Sequence, residues 1–443
     1  MYVMLVSLIV MLIAAYWLNG KNVLSPWIIS IFMHLLTVSV YILSKDYFQY
    51  EIHDNTVIFV VTALAALGLG ELTANAIQKK YNVVWCSSEQ TISAPKKQAT
   101  PVIVKSWFVF FVCGVMALVF VWYYIKMYRF SLLCGNPGSF LNATMYVRDA
   151  MMADTELSFD MGTLLTQAVL ISELLSYAFC YLFFYNRMRF GITRKAYLIP
   201  TVIYALQTVC STGRSDILYL LVVVCICAFV FMKEKVHWSN KNDGKIVVVG
   251  VLAIVLFLIV FRLLGYLTQV SEKYDVWENF SRYISASMVG TDMFFQKDPL
   301  PRNEIFAQSL LKNVYAILRP LGFNIPQYSA FAETYNLSVG TSNAYMNLCG
   351  FIRDFGVAAM YVLQFFVGFI YANLIYAVRK GRYSMKRIIW LGILFAPIAL
   401  SSIANIYSSL IGISVIYKAV YIFILEQAFM KNRFGLCKKM KEG

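Results

Sequence analysis

The hexapeptide Ser211-Thr212-Gly213-Arg214-Ser215-Asp216 is the short stretch whose residue types come nearest to a recognisable piece of chemistry. It is wedged between two apolar runs, so only a tight turn joins them, and Arg214 sits at the membrane surface just before a helix begins. Gly213 relieves steric crowding in the turn, and Ser215 or Asp216 can cap the following helix. Backbone N–H groups at a helix start attract anions, and an adjacent Arg makes bidentate bonds to phosphate oxygens. The arrangement suits a lipid pyrophosphate. The same residues also read as a structural turn in which Arg214 snorkels and pairs with Asp216.

Other cations are expected on the same side of the membrane: Arg129, Arg148, Arg262, Arg282, Arg302, Lys312, Arg319 and Arg353. Lys312 and Arg319 are seven residues apart, on one face of a helical stretch, and Arg353-Asp354 directly precedes an apolar run, where the two can form a mutual ion pair. Together these residues are a supply of cations at a membrane interface. Glu173 and Lys418 fall deep inside apolar runs. An intramembrane charge is costly, so each is a functional candidate. They can pair with each other, which a transport protein would exploit, or Glu173 is protonated and bonded to Ser172, Ser176 or Tyr177. A histidine base on this side is available only at His53, because His34 lies in an apolar run and His237 faces the other way.

Several chemistries are unsupported. The chain has no P-loop, no H-E-x-x-H and no G-x-S-x-G. The segment 44–55 carries Asp46 and Asp54 but no adjacent acidic pair of the kind that holds a metal ion. The nine cysteines form no disulfide framework or metal-ligand spacing, although Cys134 and Cys349 share a side and could pair.

The elements that must position these residues are membrane spans. Hydrophobic residues make up 60% of the chain and charged ones 14%, with a mean hydropathy of +0.66, against about 45–50% and about 25% in soluble domains. Apolar runs long enough for a hydrocarbon core of roughly 30 Å fall at 2–18, 23–43, 56–77, 106–125, 161–185, 196–211, 216–232, 246–265, 355–378, 388–404 and 410–430. The first lacks a basic leader and a cleavage site and is read as a retained helix. The pattern predicts an all-α, polytopic integral membrane protein, a single transmembrane domain over 1–443 with about eleven transmembrane helices.

The basic residues orient it. The connections at 19–22, 78–105, 186–195, 233–245 and 379–387, with the tail from Lys431, hold 24 of the 38 Lys and Arg residues but only four acids. The positive-inside rule puts this side in the cytoplasm. The N-terminus is then outside and the C-terminus cytoplasmic. The high pI is a topology signal, which argues against a nucleic-acid partner. Two long connections face outward, at 126–160 and about 266–354. The second is rich in aromatic residues. Trp277, Phe280, Ile284 and Met288, and again Phe306, Leu310, Leu311, Val314 and Leu318, follow helical spacing. They read as amphipathic helices lying on the outer membrane surface, as a structural lid or as a lid over a lipid-linked substrate.

Many spans, the short turn at 212–214, a long outer loop, and Asn343-Ala344-Tyr345 leading into Asp354-Phe355-Gly356 and a span with Gly368 resemble the Wzy-type oligosaccharide repeat-unit (O-antigen) polymerases. The chain lacks the paired Arg-x10-Gly motifs of some members and a second copy of its Arg turn. The resemblance implies a metal- and cofactor-independent glycosyltransferase of the bacterial plasma membrane, working in O-antigen, capsule or exopolysaccharide synthesis. It would transfer a growing glycan from undecaprenyl pyrophosphate to a sugar hydroxyl of another lipid-linked repeat unit. Its partners would be those lipid-linked oligosaccharides, membrane lipids, a chain-length regulator and a flippase. Catalysis then needs cations aimed at the leaving pyrophosphate. Arg214, Asp216, Arg353 and Asp354 are the expected catalytic residues, and Arg148, Arg282, Arg302, Lys312 and Arg319 the expected substrate-binding ones. The acceptor proton would go to Asp216, Asp292, Glu333, Asp354 or His53. A lipid-linked glycan flippase and an O-antigen ligase are the alternatives.

Overall fold

The computed structural model describes residues 1–86, 100–140, 142–152, 159–211, 215–252, 259, 275–325, 335–338, 340–380 and 383–438. Among these the helices, in chain order, begin with α1 (Tyr2–Leu18), α2 (Pro26–Leu43), the single turn α3 (Lys45–Phe48) and α4 (Asp54–Cys86). They continue with α5 (Ser106–Leu133), α6 (Ala143–Met152), α7 (Thr163–Phe190), α8 (Ile199–Val209) and α9 (Ser215–Lys235). After these come α10 (Val276–Phe295), α11 (Gln308–Leu318), α12 (Asn347–Phe355), α13 (Val357–Arg379), α14 (Met385–Ala399) and α15 (Ile413–Phe429). Four short strands, β1 (Ile103–Val104), β2 (Tyr335–Leu337), β3 (Gly340–Ser342) and β4 (Cys437–Lys438), pair as β1 with β4 and β2 with β3, both antiparallel.

Six of the described helices are long and apolar enough to cross a membrane: α2, α4 over Asp54–Lys80, α5, α7, α9 from Asp216, and α13. Their exposed surface is itself apolar. On α5, Phe110, Phe111 and Leu118 are 64%, 59% and 71% exposed, a surface that water would penalise and lipid would not. The chain is a multi-pass helical membrane protein. Helices also stand at other expected spans, but α1, α8, α14 and α15 are short, with 17, 11, 15 and 17 residues. α14 carries Pro397 near its end, which removes a backbone donor. Most of the expected span at 246–265 lies outside the described residues.

The chain divides into two compact units. The first comprises 1–98, 277–382 and 394–416. Its frame is the pair α4 and α13. Gly70 abuts the carbonyl of Phe365, and Gly368 abuts that of Leu67, so a Cβ at either glycine would strike backbone. Glu71, one residue beyond that crossing, accepts hydrogen bonds from Ser25 Oγ at 2.7 Å and Trp27 N at 3.0 Å and so fixes the start of α2.

Within 266–354 the structure departs from a pair of surface helices. α10 is enclosed rather than laid on the outside, with Ser281, Ser285, Ala286, Ser287, Met288, Val289, Thr291 and Asp292 all at 0% exposure. One face bonds α2, through Ser281 Oγ to Ser44 Oγ at 2.6 Å and Ser285 Oγ donating to Thr37 O at 2.9 Å. Another meets the chain after α14 and the approach to α12. There Ser287 Oγ donates to Ser402 O at 2.6 Å, and Thr291 Oγ1 accepts from Met346 N at 3.0 Å. The flanks of the stripe Trp277, Phe280, Ile284 and Met288 carry Ser281, Ser285, Ser287 and Thr291, whose hydroxyls bond the neighbouring chain, and on the far side Gly290 admits the carbonyl of Ala344. Polarity there marks close packing, not exposure to water. α11 does behave as a surface helix, with no buried residue.

The second unit comprises 99–276, 383–393 and 417–443. α7 packs between α8 and α9. The expected outer loop 126–160 is largely helical where described, since α5 runs on to Leu133 and α6 follows. Arg189, in the last turn of α7, holds both carboxylate oxygens of Glu234 and lies over the rings of Tyr185 and Tyr383.

Candidate functional site

The first unit assembles a constellation that joins two residues from the sequence-based set of bases. After α2, Ser44 ends the helix and α3 turns the chain. Gln49, at a φ of 47°, reverses it. Phe48 is buried beneath the ring of Tyr41 at 5.5 Å, and Tyr41 Oη donates to the carbonyl of Tyr50. This packing sets Tyr50 and His53 over the last turns of α10, where Asp292 waits.

Asp292 is fully buried, at 0% exposure, and accepts three hydrogen bonds. Its Oδ1 takes the backbone N–H of His53 at 2.9 Å; its Oδ2 takes Tyr50 Oη at 2.8 Å and His53 Nδ1 at 2.8 Å. A carboxylate can only accept, so Nδ1 carries the proton and Nε2 carries the lone pair. The His53 side chain is 55% exposed. A buried anion therefore orients an accessible imidazole, the arrangement a general base needs. Burial, and then the bond to Asp292, push the Tyr50 hydroxyl well above the usual tyrosine range, so Tyr50 is a donor there and not itself a base.

The expected catalytic and binding residues divide between the two units, apart from Arg214, which lies outside the described residues. Asp354 is a helix cap. Its Oδ1 accepts from Asn303 Nδ2 at 2.6 Å and Ser309 N at 2.8 Å, and its Oδ2 accepts from Leu310 N at 2.9 Å, closing the first turn of α11. Its neighbour Arg353 instead lies over the rings of Phe294 and Tyr345, at 5.2 and 4.9 Å. The Arg302 guanidinium rests against Gly356, whose φ of +91° and ψ of 174° suit only glycine. Lys312 and Arg319 are half-buried on or beside α11, and burial lowers the Lys312 ammonium below the usual lysine range. Arg282 lies in the first half of α10, half-buried. Arg353, Arg302, Lys312, Arg319 and Arg282 thus share the unit that holds His53.

Arg148, on α6, and Asp216, at the start of α9, belong to the second unit. There Lys418 Nζ donates to Glu173 Oε1 at 2.7 Å, so the two expected intramembrane charges do pair. Tyr421 Oη bonds Gln167 Oε1 at 2.9 Å between the same helices, α15 and α7. The charges of Glu173 and Lys418 both act on Asp216. Arg214, Arg262 and Glu333 lie outside the described residues. Cys134 and Cys349 are both free thiols. Among the described residues no three of His, Cys, Asp and Glu group as a metal site.

Sequence reasoning named His53 and Asp292 separately and did not see Tyr50. The available signal was an acid, Asp292, in the stretch 284–295 whose other residues are apolar, small or hydroxyl-bearing, and such an acid must find donors somewhere. Compared with protein-family models, curated proteins and solved structures, the chain matches none.

Proposed function

We propose that this protein polymerises lipid-linked oligosaccharide repeat units at the outer face of a bacterial plasma membrane. The observation that carries the reading is the Asp292–His53 pair on the connection after α2. With about eleven spans, the N-terminus outside and the basic loops in the cytoplasm, that connection faces outward. A sugar hydroxyl of the acceptor gives its proton to His53 Nε2 as its oxygen bonds to C1 of the donor glycan. The bond from C1 to the undecaprenyl pyrophosphate breaks, and the pyrophosphate leaves with the electron pair. That leaving group needs positive charge and not an acid, and Arg282, Arg302, Lys312, Arg319 and Arg353 of the same unit are the candidates to supply it. Arg214, Arg148 and Asp216 remain candidates by residue type and position in the chain.

The resemblance in layout to Wzy-type polymerases supports the same reading, and implies a chain-length regulator and a flippase as partners. A second reading, transport of a lipid-linked glycan, is favoured by the Glu173–Lys418 pair. A deletion strain separates them. The polymerase leaves surface glycan one repeat unit long, a flippase leaves lipid-linked units trapped inside, and a ligase leaves polymer on its carrier. Complementation with His53→Ala should reproduce the one-unit glycan; a full ladder from that variant removes His53 from the mechanism.

A further inference from the structure

In the second unit the tail after α15 and the segment before α5 build a basic platform that neither forms alone. β4 pairs with β1, so Lys438 stands opposite Ile103 and Cys437 opposite Val104, and Lys105 N donates to Leu436 O at 2.9 Å. The last turn of α7 joins them. Asn186 Nδ2 donates to Val102 O at 2.8 Å, and its Oδ1 accepts from Val102 N at 2.9 Å. Beyond α7, Arg194 Nη1 donates to Val104 O at 3.4 Å. The sheet therefore lies where α5 begins and where α7 and α15 end. Phe429, the last residue of α15, packs edge-on against Phe108 of α5 and Phe179 of α7, with ring centres 6.2 and 5.4 Å apart. Because α5 and α7 are both long and apolar enough to cross a membrane, the platform stands at the membrane surface.

Its charge has one sign. The stretches 100–105, 186–198 and 430–438 contain no Asp or Glu. The end of α7 and the turn after it bring Arg187, Arg194 and Lys195, and the tail brings Lys431, Arg433 and Lys438. Lys105 continues β1 in an extended conformation, so it shares a face with Ile103 and hence with Lys438. Among the described residues, Arg189 is the one cation of these stretches that meets a carboxylate, that of Glu234. Two rings are exposed beside this charge: Trp107, in the first turn of α5, at 60%, and Phe434, in the tail, at 63%. Phe434 is held out by a tight turn. Gly435 N donates to Asn432 O at 3.1 Å, and the Asn432 amide clasps the backbone N–H and carbonyl of Cys437 at 2.8 and 3.2 Å. Exposed rings among cations suit the level of lipid headgroups, where each ring keeps an apolar neighbour and each cation a phosphate.

We propose that this platform is a binding site for anionic phospholipid, its phosphate charge met by Lys105, Arg194, Arg433 and Lys438 and its acyl chains laid against Trp107 and Phe434. Net negative charge is what an acid-free surface selects, since a zwitterionic choline lipid brings a cation of its own. The positive-inside rule makes the leaflet the cytoplasmic one. An acidic protein segment matches the charge but leaves both rings without an apolar neighbour. The inference does not depend on the glycan reading.

The test is native mass spectrometry of the purified full chain in detergent, titrated with phosphatidylglycerol, with phosphatidylcholine and with a polyglutamate peptide. Phosphatidylglycerol should bind about tenfold or more tightly than phosphatidylcholine. Each cation near the headgroup is worth about fivefold, so Arg433→Gln with Lys438→Gln should weaken phosphatidylglycerol about 25-fold and leave phosphatidylcholine unchanged. Arg187→Gln with Lys195→Gln should lower the same preference without touching β4, which keeps the test informative should the tail variant unpair that strand. The control removes equal charge from another basic helix end, Lys79→Gln with Lys80→Gln late in α4, and should change the preference less than about twofold. Equal binding of the two lipids, an equal loss from the Lys79 and Lys80 pair, or polyglutamate displacing phosphatidylglycerol overturns the assignment.

Discussion

Replacing Asp292 with Asn changes one atom pair and should disable His53 without removing it. In the native site Oδ1 accepts the His53 backbone N–H, and Oδ2 accepts both Tyr50 Oη and His53 Nδ1. An asparagine that keeps its oxygen on the backbone N–H turns its NH₂ towards Tyr50 and His53. The imidazole must then accept at Nδ1 and carry its proton on Nε2, where it can no longer take one from a hydroxyl. An asparagine flipped the other way sets NH₂ against the backbone N–H, two donors face to face in a fully buried position. Either arrangement leaves a donor unsatisfied, at about 1–3 kcal/mol of stability. The loss of a positioned base should lower turnover by about 100- to 10,000-fold. The assay is chain extension of lipid-linked repeat units by purified protein, read as a glycan ladder at matched amounts of folded protein. Tyr50→Phe is the control: it removes one donor but not the tautomer-setting bond, and should lose less than about tenfold, at about 1 kcal/mol of stability. Extension by Asp292→Asn at the wild-type rate would refute the reasoning and leave the Asp292 contacts as a staple for the loop.

Other outcomes follow from the same geometry. Asp354→Ala removes the two bonds that close the first turn of α11 and the bond from Asn303, so it should cost about 1–2 kcal/mol and speed hydrogen exchange in 303–318. Gly356→Ala forces a Cβ into a backbone conformation reserved for glycine and into the Arg302 guanidinium. It should lower thermal stability by about 1–3 kcal/mol, and Arg302→Ala should not restore it in full. Glu173→Ala strands Lys418 and should destabilise by about 3–5 kcal/mol, whereas Glu173→Gln with Lys418→Met should recover most of the melting temperature. If that double variant is stable and still extends glycan, the pair is structural and the transport reading falls.

Much of the architecture was legible because hydropathy and charge are local properties. An apolar run such as 106–125 must be a helix in lipid, since no other backbone arrangement satisfies its own N–H and C=O groups, and α5 stands there. The pairing of Glu173 with Lys418 was also foreseeable, because an intramembrane charge requires a partner and these were the two deepest. Short helices were less so. α8 and α14 end before a full span, α14 close after Pro397, and composition averages over such breaks.

By itself, then, the sequence determined that the chain is a helical multi-pass membrane protein and which residues are charged within it. Tertiary structure decided what those residues do. His53 and Asp292 are 239 positions apart, and no spacing rule reaches that far. Their meeting depends on a serine-lined α10 packing into the first unit, where periodicity alone laid it on the surface. It likewise turned Asp354 from an expected partner of Arg353 into the cap of α11. The physical reason is common to all three: a buried polar group must be satisfied, but only the folded backbone fixes which donor comes within 3 Å of it.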